Sequence, residues 1–178
     1  MPLTALVRQL QQVPLTGEVL ARLDRPERLR LSGAGRGARA LISSALAGCA
    51  EAPLLVLVPT LEEAGRWAAL LELMGWRSCQ LYPTSEGSPY EPFDPTDEIT
   101  WGQLQVLSEL LDAPRRLAIV ATERALQPHL PPPETLQAQC LSLRKGDTID
   151  LEHLATTLSR LGYERVPTIE QEGSWSRR

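Results

Sequence analysis

A glycine-rich stretch, residues 33–40, comes closest in residue types and spacing to a ligand-binding motif. It reads Gly-Ala-Gly-Arg-Gly-Ala-Arg-Ala, between an apolar segment at 29–32 and a run of helix-favouring residues at 38–49. A strand, a glycine turn and a helix in this order build phosphate-binding loops. In such loops, backbone N–H groups and the helix N-terminus hold phosphate oxygens.

The residues that carry the chemistry of this motif are missing. In the pattern G-x-x-x-x-G-K-[ST], the lysine reaches the outer phosphates and the hydroxyl holds Mg²⁺. Gly33 fits the first glycine, but the next three motif positions hold Ala38, Arg39 and Ala40. We therefore interpret the stretch as a vestigial nucleotide loop whose glycines serve the backbone conformation of a turn, namely Gly33, Gly35 and Gly37. The alternative is a loop that binds nucleotide with Arg39 in place of lysine.

Composition excludes several other functions. The 178 residues carry a net charge of −4, so no overall basic field attracts nucleic acid. Three widely spaced cysteines and two isolated histidines predict neither a disulfide framework nor a metal site, and they favour a reducing cytosol. The apolar runs are too short to span a bilayer, and the N-terminus lacks the pattern of a signal peptide. No side chains are spaced as a catalytic constellation.

Alternating strand and helix patterns over residues 1–127 predict an α/β domain with a mostly parallel sheet. The continuously apolar strand at 54–58 is expected to be buried on both faces. The other predicted elements are strands at 29–32, 78–82 and 117–121, and helices at 3–23 (broken at 14–17), 38–49, 61–74, 97–111 and 122–126.

The proline-rich segment 128–133 is the predicted linker to a partial α+β domain at 134–178. Alternating residues predict strands at 139–144 and 163–170, with a helix at 151–161 that Asp150 caps. Glu172 and Gly173 are predicted to form a hairpin turn into a last strand. Because that strand ends with the sequence, we expect the chain to be a fragment of a longer protein.

The order of short motifs is similar to that of a known family. The motifs are GAGRGARAL, LVLVPTLEEA, LYPTSEGSPYE, DEITWGQLQVLSELL, IVATERAL, PPPE, LRKGD, LGYERV and EGSWSRR. Together they resemble the N-terminal region of bacterial transcription-repair coupling factors (Mfd), which is in turn similar to the first domains of the excinuclease subunit UvrB. The resemblance covers essentially the whole chain.

This resemblance implies a helicase-like (RecA-like) sheet with a degenerate P-loop, followed by part of a domain that binds the damage-recognition ATPase UvrA. It implies no catalysis and no cofactor in this chain, because the ATP-driven motor and the contacts to RNA polymerase and DNA belong to other domains of the family. The family's partner-binding pattern of aromatic and arginine residues falls on Tyr163, Arg165, Trp175, Arg177 and Arg178.

The predicted function is thus a non-catalytic module that recruits nucleotide excision repair. Two alternatives remain, a nucleotide-binding P-loop-like domain and a fragment of a helicase that binds single-stranded DNA. For the latter, Tyr90 and Phe93 in the loop 82–96 are candidates to stack on bases. The many carboxylates of that loop repel phosphates, so we favour a structural loop.

Overall fold

The computed structural model describes residues 3–25, 28–84, 96–111, 117–127, 130–141, 143–170 and 173–177. At residues 96–98 it describes the backbone alone. The chain divides into two compact units, Met1–Leu130 and Pro131–Arg178. Tyr90 and Phe93 lie outside the described residues, as do most of their neighbours in the loop 82–96. The described helices include none that is long and apolar enough to cross a membrane.

The first unit is an α/β structure in which helices flank a small parallel sheet, as the sequence predicts. The sheet has three strands in the order β1-β3-β2, all parallel. Its elements are α1 (Leu3–Gln11), α2 (Pro14–Leu23), α3 (Arg36–Ala50), β1 (Leu54–Val58), α4 (Leu61–Leu73), β2 (Ser78–Leu81), α5 (Thr96–Leu111), β3 (Leu117–Thr122) and a 3₁₀ turn (Arg124–Leu126).

Strand β3 is buried along its entire length and separates two apolar clusters. Its Ala118 and Val120 side chains join a cluster that also holds residues of α1, α3 and α4. The alternate residues, Leu117 and Ile119 among them, join a second cluster that includes Val106 of α5. Period-two alternation along a strand sends side chains to opposite faces, so β3 is covered on both sides.

The prediction that strand 54–58 is buried on both faces is wrong. Val56 and Val58 are buried in the first cluster, but Leu55 and Leu57 of the same strand are 53% and 56% exposed. The reason is position, because β1 lies at the sheet edge and the doubly buried place belongs to β3. A continuous apolar run therefore does not distinguish a central strand from an edge strand here.

The N-terminal helical region breaks earlier than predicted. Pro14 occupies the first turn of α2, where its missing N–H costs nothing, and the break falls at residues 12–13. The buried Thr16 donates its hydroxyl to the carbonyl of Leu10 at 2.6 Å, which ties α2 back to α1.

Residues 29–32 do not form the predicted strand. The segment 28–32 has no regular secondary structure, and Leu31 is 47% exposed. Apolar and arginine residues do alternate in it, but neither edge of the three-stranded sheet pairs with it among the described residues. The described chain therefore lacks the strand that should precede a phosphate-binding loop.

The second unit consists of α6 (Pro133–Gln139), α7 (Leu151–Arg160), β4 (Glu164–Arg165) and β5 (Ser174–Trp175). As predicted, Asp150 caps α7, accepting hydrogen bonds from the backbone N–H groups of Glu152 and His153. The predicted strand 139–144 is wrong, since Gln139 ends α6 and none of the described residues among 140–144 is in a strand. Of the predicted strand 163–170, two residues form a strand, β4. Because β4 and β5 pair in parallel, they do not form the predicted hairpin.

A buried hydrogen bond links α3 to the segment that precedes β2. The indole Nε1 of Trp76 donates to Ser44 Oγ at 2.8 Å, and both residues are buried. We expect Ser44→Ala to destabilise the chain by about 1–3 kcal/mol, because the indole N–H then stays buried without an acceptor. Urea unfolding followed by circular dichroism measures this. The neighbouring Ser43→Ala serves as control, and an equal effect of the two substitutions would contradict the assignment.

Alkaline pH offers a second test of the core. Burial, with a further contribution from Glu72, raises the pKa of the Cys79 thiol from 9.0 to about 11. The unfolded chain therefore loses this proton first, and the stability that the neutral thiol contributes below pH 9 is lost as the pH rises to about 11. We expect Cys79→Ala to make the free energy of unfolding less dependent on pH across this window. Some dependence remains, because burial also raises the pKa of Tyr82; identical slopes in both proteins would refute the prediction.

Candidate functional site

The glycine stretch forms the entry to α3 rather than a wrapped loop. Helix α3 begins at Arg36, two residues before the predicted start, with Gly35 as its N-cap in an extended conformation. Gly37 consequently lies inside the first helical turn. Only Gly33 among the three glycines has a positive φ, at +75°, so it alone needs the conformational freedom of glycine.

The residues at the motif positions for lysine and for the hydroxyl group, Arg39 and Ala40, make contacts within the protein itself. Arg39 folds back on the loop, and its Nε donates to the carbonyl of Ala34 at 2.8 Å. Ala40 is fully buried in the first apolar cluster. A side chain at position 40 therefore points into the core, where it cannot ligate a metal ion bound to a nucleotide.

An ion-pair chain holds the start of α3 against the start of α4. Arg36 binds Glu63 through two contacts, Nε to Oε2 at 3.0 Å and Nη2 to Oε1 at 2.5 Å. Arg66 contacts Glu63 at 3.4 Å and pairs closely with Glu62. Bidentate arginine–carboxylate contacts fix geometry as well as charge. Arg36, one of the two cations within the glycine stretch, is therefore neutralised by a carboxylate of the protein itself.

Two glycines of the stretch should respond oppositely to substitution. Gly33→Ala forces alanine into a left-handed conformation and should destabilise the chain by about 1 kcal/mol. Gly37→Ala places a better helix former in α3, where a Cβ meets no atom within 4 Å, and should stabilise by about 0.5–1 kcal/mol. Shifts of the urea midpoint measure both. Destabilisation by Gly37→Ala would show that the helix does not begin at Arg36.

In the second unit, the structure brings together Arg165 and Trp175 from the predicted partner-binding set. They lie opposite each other on β4 and β5, whose ladder includes the bond from Val166 N to Trp175 O at 2.9 Å. The Arg165 guanidinium carbon sits 5.5 Å from the centroid of the Trp175 ring, within the range of a cation–π contact.

Of the remaining predicted residues, Tyr163 and Arg177 lie close to this pair in the chain. Gly162, with φ of +91°, ends α7, and the N–H of the half-buried Tyr163 donates to Leu158 O at 3.0 Å, which fixes the entry to β4. Arg177 is exposed two residues beyond Trp175. Arg178 lies outside the described residues.

The indole N–H of Trp175 is a feature that sequence reasoning missed. Its nitrogen is buried, yet it has no hydrogen-bond acceptor among the described residues. Buried tryptophan N–H groups usually find an acceptor. No sequence pattern signals this, because it depends on which atoms surround the ring. The Arg165–Trp175 pair therefore includes a buried donor, the indole N–H of Trp175, without an acceptor among the described residues.

Metal chemistry finds no support in the part of the chain that the structure describes, where no group of three or more His, Cys, Asp or Glu side chains could hold an ion.

In class, the described structure is an α/β unit with a small parallel sheet, followed by a small unit that carries an arginine–tryptophan pair on two short strands. No protein-family model matches the chain. Curated proteins named transcription-repair-coupling factor are nevertheless similar to it over most of its length, which confirms the resemblance that the sequence motifs indicate.

The similarity is even among distant bacteria. The protein of Haemophilus influenzae is 28% identical over 140 residues, which cover 79% of this chain and 12% of the relative. The Bacillus subtilis protein is 29% identical over 147 residues, which cover 82% of this chain and 12% of the relative. The Mycobacterium tuberculosis protein is 29% identical over an alignment of 183 positions, which covers 98% of this chain and 14% of the relative. The chain thus spans about an eighth of the length of these relatives.

Proposed function

We propose that this chain is a non-catalytic module of a transcription-repair coupling factor, one that recruits nucleotide excision repair by binding a UvrA-like damage-recognition ATPase. The observation that carries the proposal is the Arg165–Trp175 pair on β4 and β5. Arginine and tryptophan are the residues most enriched at interface hot spots. The similarity to coupling factors supplies the repair context.

The geometry of the pair suits recognition of an acidic surface. The cation–π contact with the Trp175 ring restricts the Arg165 side chain, so less side-chain entropy is lost when its N–H groups meet a carboxylate. Arg177 is exposed nearby in the chain and adds a second cation. We therefore expect the ATPase to present carboxylates to this face. Tyr163 and Arg178 complete the partner-binding set that the sequence predicts.

In this proposal, the first unit is an inherited helicase-like (RecA-like) domain that no longer binds nucleotide and needs no cofactor. Its support is local: Arg39 binds the carbonyl of Ala34, Ala40 is buried, and Glu63 neutralises Arg36. Translocation on DNA and contact with RNA polymerase are left to other parts of such a protein, in the cytoplasm. No contact in the described residues favours nucleotide binding or single-stranded DNA binding instead.

Charge reversal tests the proposed interface. We expect Arg165→Glu to weaken binding of the chain to UvrA of the same organism by about 30-fold, or about 2 kcal/mol, because it removes the cation–π contact and repels carboxylates. Arg177→Glu should weaken binding less. Surface plasmon resonance with the whole chain measures both.

The matched control is Arg144→Glu, which makes the same charge change at an exposed turn of the second unit. Circular dichroism of each variant establishes that it is folded. If Arg165→Glu and Arg144→Glu weaken UvrA binding equally, the effect comes from net charge and the site assignment is wrong. If the unaltered chain does not bind UvrA, the proposed function itself is wrong.

A further inference from the structure

The second unit contains an open groove that the partner-binding prediction does not use. The groove lies between α7 and residues 141 and 143–150, and its volume is about 420 Å³. Its apolar wall consists of Leu141, Leu143, Ile149 and Leu154. Three of these are well exposed, Leu141 at 49%, Leu143 at 52% and Ile149 at 39%. Such a volume lies within the range of ordinary ligand sites.

Local hydrogen bonds shape the groove. Asp147 accepts the N–H of Arg144 on Oδ2 at 2.8 Å, and its own N–H donates to the carbonyl of Arg144 at 3.1 Å. Gly146, with φ of +102°, completes this turn. At the other end, Asp150 Oδ1 caps α7, accepting the N–H of Glu152 at 2.9 Å. The groove is therefore preformed by the backbone of its own walls.

The charges that line the groove are of one sign. Asp147 and Asp150 contribute carboxylates, the lining includes neither lysine nor arginine, and its one histidine, His153, is counted as neutral at pH 7. Their hydrogen bonds to backbone N–H groups hold both carboxylates in place. Arg144 and Lys145 lie in the adjoining turn, outside the lining, while Glu152 adds a further negative charge at the start of α7. An apolar floor with a fixed acidic edge selects an occupant by charge as well as by hydrophobicity.

We propose that this groove binds a short peptide segment of a partner protein, with an aliphatic side chain seated against Leu143 and Leu154 and an arginine or lysine facing Asp147 and Asp150. The charge of the groove edge selects a basic peptide over an acidic one. This goes beyond the proposed function, because the groove shares no residue with the Arg165–Trp175 pair.

The probe is a fluorescein-labelled ten-residue peptide of alternating leucine and arginine, titrated with the whole chain and followed by fluorescence anisotropy. A comparison peptide has the same sequence with glutamate in place of arginine. We expect the arginine peptide to bind at least tenfold more tightly. Asp147→Asn and Asp150→Asn keep an oxygen acceptor for the structural hydrogen bonds and remove only the charge. Each should weaken binding about two- to fivefold, the range of exposed ion pairs.

Leu143→Ala should weaken binding about tenfold, as for a contact at the centre of an interface. Ile169→Ala is the matched control, since Ile169 is 57% exposed in the same unit and does not line the groove. Equal binding of the two peptides, no saturation at millimolar chain, or equal effects of Leu143→Ala and Ile169→Ala would overturn the proposal. Self-association that Leu143→Ala abolishes would overturn it in favour of a second copy of the chain.

Arg165→Glu separates the two proposals. If the groove is an independent site, this substitution leaves the affinity for the arginine peptide unchanged while UvrA binding falls. Loss of peptide binding in Arg165→Glu would place the peptide on the Arg165–Trp175 face and refute the groove.

Discussion

The burial of β3 on both faces is the constraint on which the first unit depends. A strand without an exposed side needs a neighbour along each edge and a helical layer over each face. Here β1 and β2 provide the edges, and residues of α3, α4 and α5 contribute to the two apolar clusters. The short strand LAIVAT suits this place because it combines small and branched apolar side chains that pack closely under helices.

The same constraint decides what the glycine stretch can do. Helix α3 must turn its small residues toward the sheet, and Ala40 is one of those residues, with no exposed surface at all. All residues of a helix turn together about its axis. Packing Ala40 into the core therefore also fixes the side of α3 on which Arg39 and Gly37 lie. In this structure, a nucleotide-binding residue at position 40 would compete with the core. Packing of α3 thus occupies position 40, where the phosphate-loop pattern requires a hydroxyl.

Sequence patterns predict elements of both units well where local signals are strong. Helices near 61–73 and 151–160 and strands near 54–58 and 117–122 all appear, and Asp150 caps α7 as predicted. The errors concern tertiary partners. Residues 29–32 alternate like a strand but find no strand beside them, and Leu55 and Leu57 are as apolar as the residues of β3 yet lie at an edge. Arg165 contacts Trp175 across the parallel pair of β4 and β5, and no pattern in either short segment indicates that direction.

The two units are stabilised by different means, and this difference bears on function. In the first unit, apolar clusters bury whole side chains. In the second, no described residue is buried, and its interactions include a helix cap, a hydrogen-bonded turn, the β4–β5 ladder and a cation–π contact. Its leucines and its tryptophan therefore remain available to other molecules. When such a unit binds another molecule, the free energy of association includes the cost of ordering the residues at the interface. Binding to such a unit should consequently be more sensitive to substitutions that loosen its caps and turns than their distance from the interface alone suggests.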